Sequence, residues 1–165
     1  MPEFEQPPAQ RGFRNPNEYR KLLDPDNTLP PVNLALHGED PGENNEPRIE
    51  YYELRRLGDG TAFGHANLVI TDATQQAFLE DIGIDERAML GKGFGRSAYV
   101  ELVKMLATRE LRLRSGVDQG KKIGLSREAW EIWEWMREKG VARLVEDRGT
   151  TGNQQTYSYS LYEII

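Results

Sequence analysis

The chain has 165 residues, enough for one domain with a real hydrophobic core. It has no cysteine, which excludes disulfides, thiolate metal sites and cysteine nucleophiles. A formal net charge of −6 argues against non-specific nucleic-acid binding, and no apolar run approaches the ~20 residues that cross a bilayer.

All nine prolines lie at or before Pro47. Residues 1–48 hold five Lys or Arg against nine Asp or Glu, so they carry −4 of the total −6. They read as an extended or partly disordered arm. Its acidic, proline-rich start is unlike a secretory signal, so a cytoplasmic protein is the default expectation. Within the arm, residues 17–23 suit a short helix, residues 29–36 an extended surface segment, and residues 38–48 a linker.

A second regime, expected as one domain over residues 49–165, begins at Ile49. Residues 49–57 are rich in Tyr and Leu and read as a strand. Gly58-Asp59-Gly60 is a tight turn, and Ala62 to Thr71 a second strand, hence a hairpin. Gln76 to Ile84 reads as a third strand, with Gly83 as its candidate bulge. A glycine loop, Gly91-Lys92-Gly93-Phe94-Gly95-Arg96, then runs directly into a helix. That helix places Phe94, Ala98, Leu102, Met105 and Leu106 on one face. Residues 111–114 alternate as a short strand, and residues 117–124 read as a loop. Ser126 is a good N-cap for a helix burying Ala129, Ile132, Trp133 and Met136, which Gly140 ends. Residues 141–146 form a strand, 147–154 a turn and 156–165 a closing strand. The fold class is therefore α/β (α+β): a mixed, mostly antiparallel central sheet flanked by helices.

The glycine loop carries the chemistry. A helix N-terminus has unpaired N–H groups and partial positive charge, and adjacent glycines let a phosphate approach the backbone. No P-loop string occurs, and a dinucleotide fingerprint would place its last glycine at Arg96. His37 and His65 have no ligand-like spacing, so no metal site is expected. His65, inside a strand, reads as structural more readily than as a base.

This element order, with these loops, resembles the GCN5-related N-acetyltransferase (GNAT) family. Leu90-Gly91-Lys92-Gly93-Phe94-Gly95 is similar to the family's Gln/Arg-x-x-Gly-x-Gly/Ala loop, which cradles the pyrophosphate of acetyl-CoA. Residues 76–84 resemble its bulged central strand. Ser126-Arg127-Glu128-Ala129-Trp130-Glu131-Ile132-Trp133-Glu134 is similar to its Asn-x-x-Ala-x-x-Leu-Tyr-Glu. The sequence departs at Leu90, Ser126 and Trp133, and Trp133 has no acidic proton for a leaving thiolate. Residues 1–48 offer no clear counterpart of the family's first strand and first two helices.

The resemblance implies acetyl transfer from acetyl-CoA, used as cosubstrate, directly to a primary amine on a small molecule or a protein. It implies that amides of Gly91, Lys92, Gly93, Phe94, Gly95 and Arg96 hold the pyrophosphate, with charge added by Lys92 and Arg96 and with Ser126 nearby. Backbone N–H groups freed by a bulge near Ile82 and Ile84 would meet the thioester carbonyl. Glu80, late on the strand, is the candidate proton acceptor, directly or through water; Asp81 faces the other way in a regular strand. Tyr157, Tyr159 and Tyr162 recur along the last strand, at least part of the set as sheet face, with one of them a candidate stand-in acid. The acceptor is not legible, and the acidic arm leaves a homodimer open. Two other readings compete: a catalytically silent GNAT-like interaction module, and a winged-helix nucleic-acid binder. The second has Glu128, Glu131, Glu134 and Glu138 on its recognition helix against it.

Overall fold

The computed structural model describes residues 13–43, 47–84, 91–116 and 123–165. Leu90 and residues 117–122 of the expected loop lie outside them, as do residues 1–12 of the arm. Chain order is α1 (Pro16–Leu23), β1 (Val32–Asp40), β2 (Arg48–Arg56), β3 (Ala62–Thr71), a single 3-10 turn, β4 (Gln76–Ile84), α2 (Phe94–Thr108), β5 (Arg112–Arg114), α3 (Arg127–Glu138), β6 (Ala142–Glu146) and β7 (Leu161–Ile164). The strands form one sheet in the order β1-β2-β3-β4-β5-β7-β6. Every neighbouring pair is antiparallel except β4 and β5. This is the expected mixed, mostly antiparallel sheet flanked by helices, and it is not a winged-helix arrangement.

Period-2 alternation builds the β2–β4 meander. Register sets Tyr52 opposite Ala66, Leu68 opposite Leu79 and Ile70 opposite Ala77, so these side chains share one face. All six are buried. Each large apolar side chain among them contributes roughly 1.5–3 kcal/mol through burial.

The expected apolar stripe on α2 is too narrow. Tyr99, Val100, Val103 and Ala107 are buried as well, whereas Met105 is only half-buried. The reason lies in the N-terminal segment: Tyr19 and Leu23 of α1 join the same core as α2, so α2 is covered on more than its sheet side. Asn15 caps α1, its side chain accepting from the Asn17 amide at 2.9 Å, with Pro16 opening the helix. The segment read as extended over residues 29–36 is strand β1, and it continues to Asp40, into the stretch read as linker. β1 pairs with β2 from Val32–Arg56 to Asp40–Ile49, with an irregularity at His37. Its polar end lies exposed at the sheet edge, so hydropathy carries no strand signal there.

The closing strand is shorter than its sequence suggests. β7 spans only Leu161–Ile164; upstream, Ser158 makes isolated bridges to Leu125 and Thr150. Tyr157 and Tyr159 therefore do not form a sheet face with Tyr162. Among the described residues no helix is long and apolar enough to cross a membrane.

Candidate functional site

The site begins where the sheet opens. β5 pairs in parallel with Gln76, Ala77 and Phe78 only, so residues 79–84 of β4 have no β5 partner. The bulge lies earlier than expected. Asn67 opposes Asp81 and Leu68 opposes Leu79, which leaves Glu80 as the extra residue. Ile82 and Gly83 sit in regular register with Ala66 and His65, so the shift in backbone direction occurs at Glu80, and Glu80 and Asp81 are both exposed.

Two cavities follow this opening. The larger, of about 590 Å³, is lined by Ile82, Gly83 and Ile84 of β4, by Gly91, Gly93, Gly95 and Arg96, and by Ser126, Glu128 and Ile132 beside or on α3. The smaller, of about 200 Å³, is lined by Leu79, Glu80, Asp81, Ser126 and Trp133 among others. Ile82, Tyr99, Ser126 and Ala129 border both, so the two spaces adjoin.

The N-terminus of α2 faces the larger cavity. Gly93 is its N-cap at φ +86°, a left-handed conformation that glycine adopts without strain. Ser97 N–H donates back to the Gly93 carbonyl at 3.0 Å, closing the first turn, while the amides before it have no acceptor within the helix. Gly95 is small for a packing reason: a Cβ there would lie 3.3 Å from Ile132 Cδ1 and 3.9 Å from Ile84 Cδ1, across the cavity mouth. Ser97 Oγ donates to the Pro30 carbonyl at 2.6 Å, which ties this turn to the N-terminal segment.

The opposite end of α2 is fixed by charge. Arg109, its C-cap, donates through two nitrogens to the Glu50 carboxylate at 2.8 and 3.0 Å, and Tyr52 Oη donates to Glu50 at 2.6 Å. Burial pushes the Glu50 carboxyl up, but the Arg109 and Tyr52 hydrogen bonds, aided by the Arg109 and Arg48 charges, outweigh it and hold the group below its usual range. Burial and the neighbouring Glu50 push the Tyr52 hydroxyl up to about 12.

Of the residues singled out from sequence, Ile82, Ile84, Gly91, Gly93, Gly95, Arg96 and Ser126 line the larger cavity, and Glu80 lines the adjoining one. Phe94 turns its ring into the core, 5.0 Å from Phe63, so it offers a ligand only backbone. Lys92 is exposed and lines neither cavity. The Arg96 guanidinium lies 4.7 Å over the Trp135 ring. Ser126 caps α3 as expected, its Oγ accepting from the Ala129 amide at 3.1 Å. Trp133 is fully buried, stacked on Tyr162 and edge-on to Tyr99 at 6.0 Å. Tyr162 donates to Glu134 at 3.0 Å.

Sequence reasoning missed Leu29, Leu54 and Tyr99, which also line the larger cavity. Leu54 was findable from the alternation of β2. Tyr99 and Leu29 reach the site only through the packing of α2 against its neighbours. Burial pushes the Tyr99 hydroxyl well above its usual range, with an opposing contribution from the Trp133 indole, so the phenol stays protonated. Among the described residues no group of three or more His, Asp or Glu is placed to share a metal ion.

A seven-stranded sheet with one parallel junction, opening at that junction beside a glycine-flanked helix N-terminus, is the GNAT fold. Solved structures place the chain in that fold class. An IAA acetyltransferase from Bacillus cereus superposes with a TM-score of 0.51 at 13% identity, covering 81% of this chain and 99% of that one. The spermidine/spermine N-acetyltransferase SpeG from Vibrio cholerae also gives 0.51, at 15% identity over 74% of this chain and 66% of its own. No protein-family model and no curated protein sequence matches the chain.

Proposed function

We propose that the chain is an N-acetyltransferase that moves an acetyl group from acetyl-CoA directly to a primary amine. The observation that carries this reading is the stretch of β4 without a β5 partner, facing a cavity that also receives the N-terminus of α2. A thioester arm laid along residues 79–84 would meet a strand edge, and a pyrophosphate would meet the amides of residues 91–96. Both groups belong to one cosubstrate. Arg96 adds positive charge at the cavity wall, while Lys92 acts only from the surface. Ile82 and Ile84 supply apolar walls, and Ser126 keeps a hydroxyl proton to donate after its oxygen has accepted from Ala129. Glu80, at the bulge, carries the carboxylate that binds the acceptor's ammonium and passes its proton on.

A binding-only version of the same site is favoured by one feature. Trp133 stands where the resembled motif has tyrosine, and it is sealed into the core. That version retains CoA but releases no thiol. A protein of the GNAT fold in the cytoplasm would meet both acetyl-CoA and free amines.

Thermal melting tests the cofactor half. Acetyl-CoA at 100 times its Kd adds about 2.7 kcal/mol, or roughly 5–11 °C for a chain of this size. Gly95→Val projects branched carbon at Ile132 and Ile84 and is expected to abolish the shift while the unliganded protein still melts cooperatively. Thiol release with spermidine and with a lysine peptide tests the transfer half. No shift at millimolar acetyl-CoA refutes the reading.

A further inference from the structure

The donor and the acceptor of a direct transfer have to meet where their two spaces adjoin. The larger cavity receives the helix N-terminus that suits a diphosphate, and the smaller one carries Glu80. Asp81 lines the smaller cavity as well, its Oδ2 2.7 Å from His65 Nε2. Ile82, Tyr99, Ser126 and Ala129 border both spaces, and of these Tyr99 and Ser126 carry a side-chain hydroxyl. Trp133, at the place of the resembled motif's tyrosine, borders the smaller cavity but not the larger.

Of the two hydroxyls, Tyr99 is the buried one, at 2% exposure, whereas Ser126 is half-buried at the start of α3. The Tyr99 ring meets Trp133 edge-on, with centroids 6.0 Å apart, and Trp133 is itself sealed against Tyr162. The Trp133 indole N–H donates to the Tyr99 hydroxyl oxygen. An indole has no acceptor to offer in return. Among the described residues no acceptor for the phenol's own proton is present, so the O–H is open to a group that enters the junction. A buried donor without an acceptor is costly, and native structures rarely keep one without a reason.

We infer that Tyr99 is a catalytic residue whose O–H donates a hydrogen bond to the departing thioester sulfur, with Trp133 as the positioning residue behind it. The inference rests on the acetyltransfer reading above and goes beyond it by giving the leaving group a partner on α2, outside the motif that contains Trp133. Burial holds the phenol well above its usual range, while a thiol ionises at about 8.5. Tyr99 therefore keeps its proton and stabilises the sulfur by donation, not by proton transfer. The indole N–H behind it polarises the O–H, and exclusion of water strengthens both bonds. In the transfer, the acceptor's ammonium gives one proton to Glu80 and on to water. The freed nitrogen lone pair forms the C–N bond at the thioester carbonyl carbon. The C–S bond breaks, and sulfur leaves with the electron pair against the Tyr99 O–H. The second nitrogen proton reaches the thiolate through water, which yields the amide and the free CoA thiol.

The test is the affinity of the full chain for CoA and for desulfo-CoA, which lacks the sulfur, measured by calorimetry at pH 6 and pH 9. A hydrogen bond donated to sulfur favours thiolate over thiol, so it lowers the bound thiol's pKa and tightens CoA as pH rises. In the wild-type protein the ratio of CoA to desulfo-CoA affinity is expected to rise severalfold between the two pH values, toward the roughly tenfold that one pKa unit carries. Tyr99→Phe is expected to flatten that rise, and Trp133→Phe to reduce it. Ser126→Ala weakens both ligands alike and keeps it. A merely structural role for Tyr99 would also weaken both ligands alike, so an undiminished rise in Tyr99→Phe overturns the inference. So does a flat ratio in the wild-type protein, or a rise lost only in Ser126→Ala. If Tyr99→Phe fails to fold, the wild-type ratio and Trp133→Phe decide. If both ligands bind without the rise, this inference fails while the cofactor site stands. If neither binds, the underlying reading fails and takes this inference with it.

Discussion

Removing the Arg109 guanidinium is expected to loosen the whole helix that faces the cavity. Glu50 is 6% exposed and Arg109 30%, and the two share a bidentate contact at 2.8 and 3.0 Å. Breaking a fully buried pair from one side costs about 3–5 kcal/mol, because the remaining charge is left without its partner. Here the Tyr52 hydroxyl stays on Glu50 and Arg48 Nε lies 3.9 Å away, so part of the loss is compensated. Arg109→Ala should therefore cost about 2 kcal/mol, which is roughly 4–8 °C in Tm for a chain of this length. The pH dependence fixes the cause. The Glu50 carboxyl lies below its ordinary value in the folded state, so the stability it contributes is fully present above the unfolded value. It is lost as pH falls through the lower folded value. The difference between wild type and Arg109→Ala should accordingly be largest at neutral pH and shrink below about pH 4, where carboxylates protonate in the unfolded chain. Thermal or urea melts across pH measure it. A difference under about 0.5 kcal/mol at pH 7, the scale of an ordinary surface change, refutes the reasoning. So does one that persists unchanged at pH 3.

Two other substitutions separate structure from binding. Ser126→Ala removes the α3 cap and should cost about 1 kcal/mol, or roughly 2–4 °C by thermal melting. It should also weaken CoA binding, since Ser126 borders both cavities. Glu131→Gln removes a carboxylate from the cavity wall and should tighten CoA severalfold by calorimetry, an effect that added salt reduces. An unchanged Kd at low salt would place the diphosphate away from α3.

The sequence was most readable where side-chain periodicity meets a single buried face. Ala62–Thr71 and Gln76–Ile84 match their strands residue for residue, because β3 and β4 pack one face against helices. The same reasoning understates β1, which stands at the edge of the sheet among the described strands and whose Gly38–Asp40 end is polar. It also misplaces the bulge. Gly83 looks like the weak point of β4, yet it is glycine because the His65 ring covers it, and the extra residue is Glu80. The glycines and Ser126 of the cavity were legible because their roles are local: a left-handed N-cap, a close approach and a helix cap. Tyr99, Leu29 and the His65–Asp81 pair were not, since each depends on register or on packing between segments distant in sequence. The opening in the sheet depends on where a three-residue strand stops pairing, and no local pattern encodes that.

One cosubstrate lying on both the open edge of β4 and the N-terminus of α2 should leave its mark on backbone amide hydrogen exchange, measured with and without saturating acetyl-CoA. At least tenfold slower exchange, about 1.4 kcal/mol of added protection, is expected at residues 79–84 and 91–97 together, with β1 and β6 unchanged. Protection confined to other segments, or none at millimolar acetyl-CoA, rules out that placement.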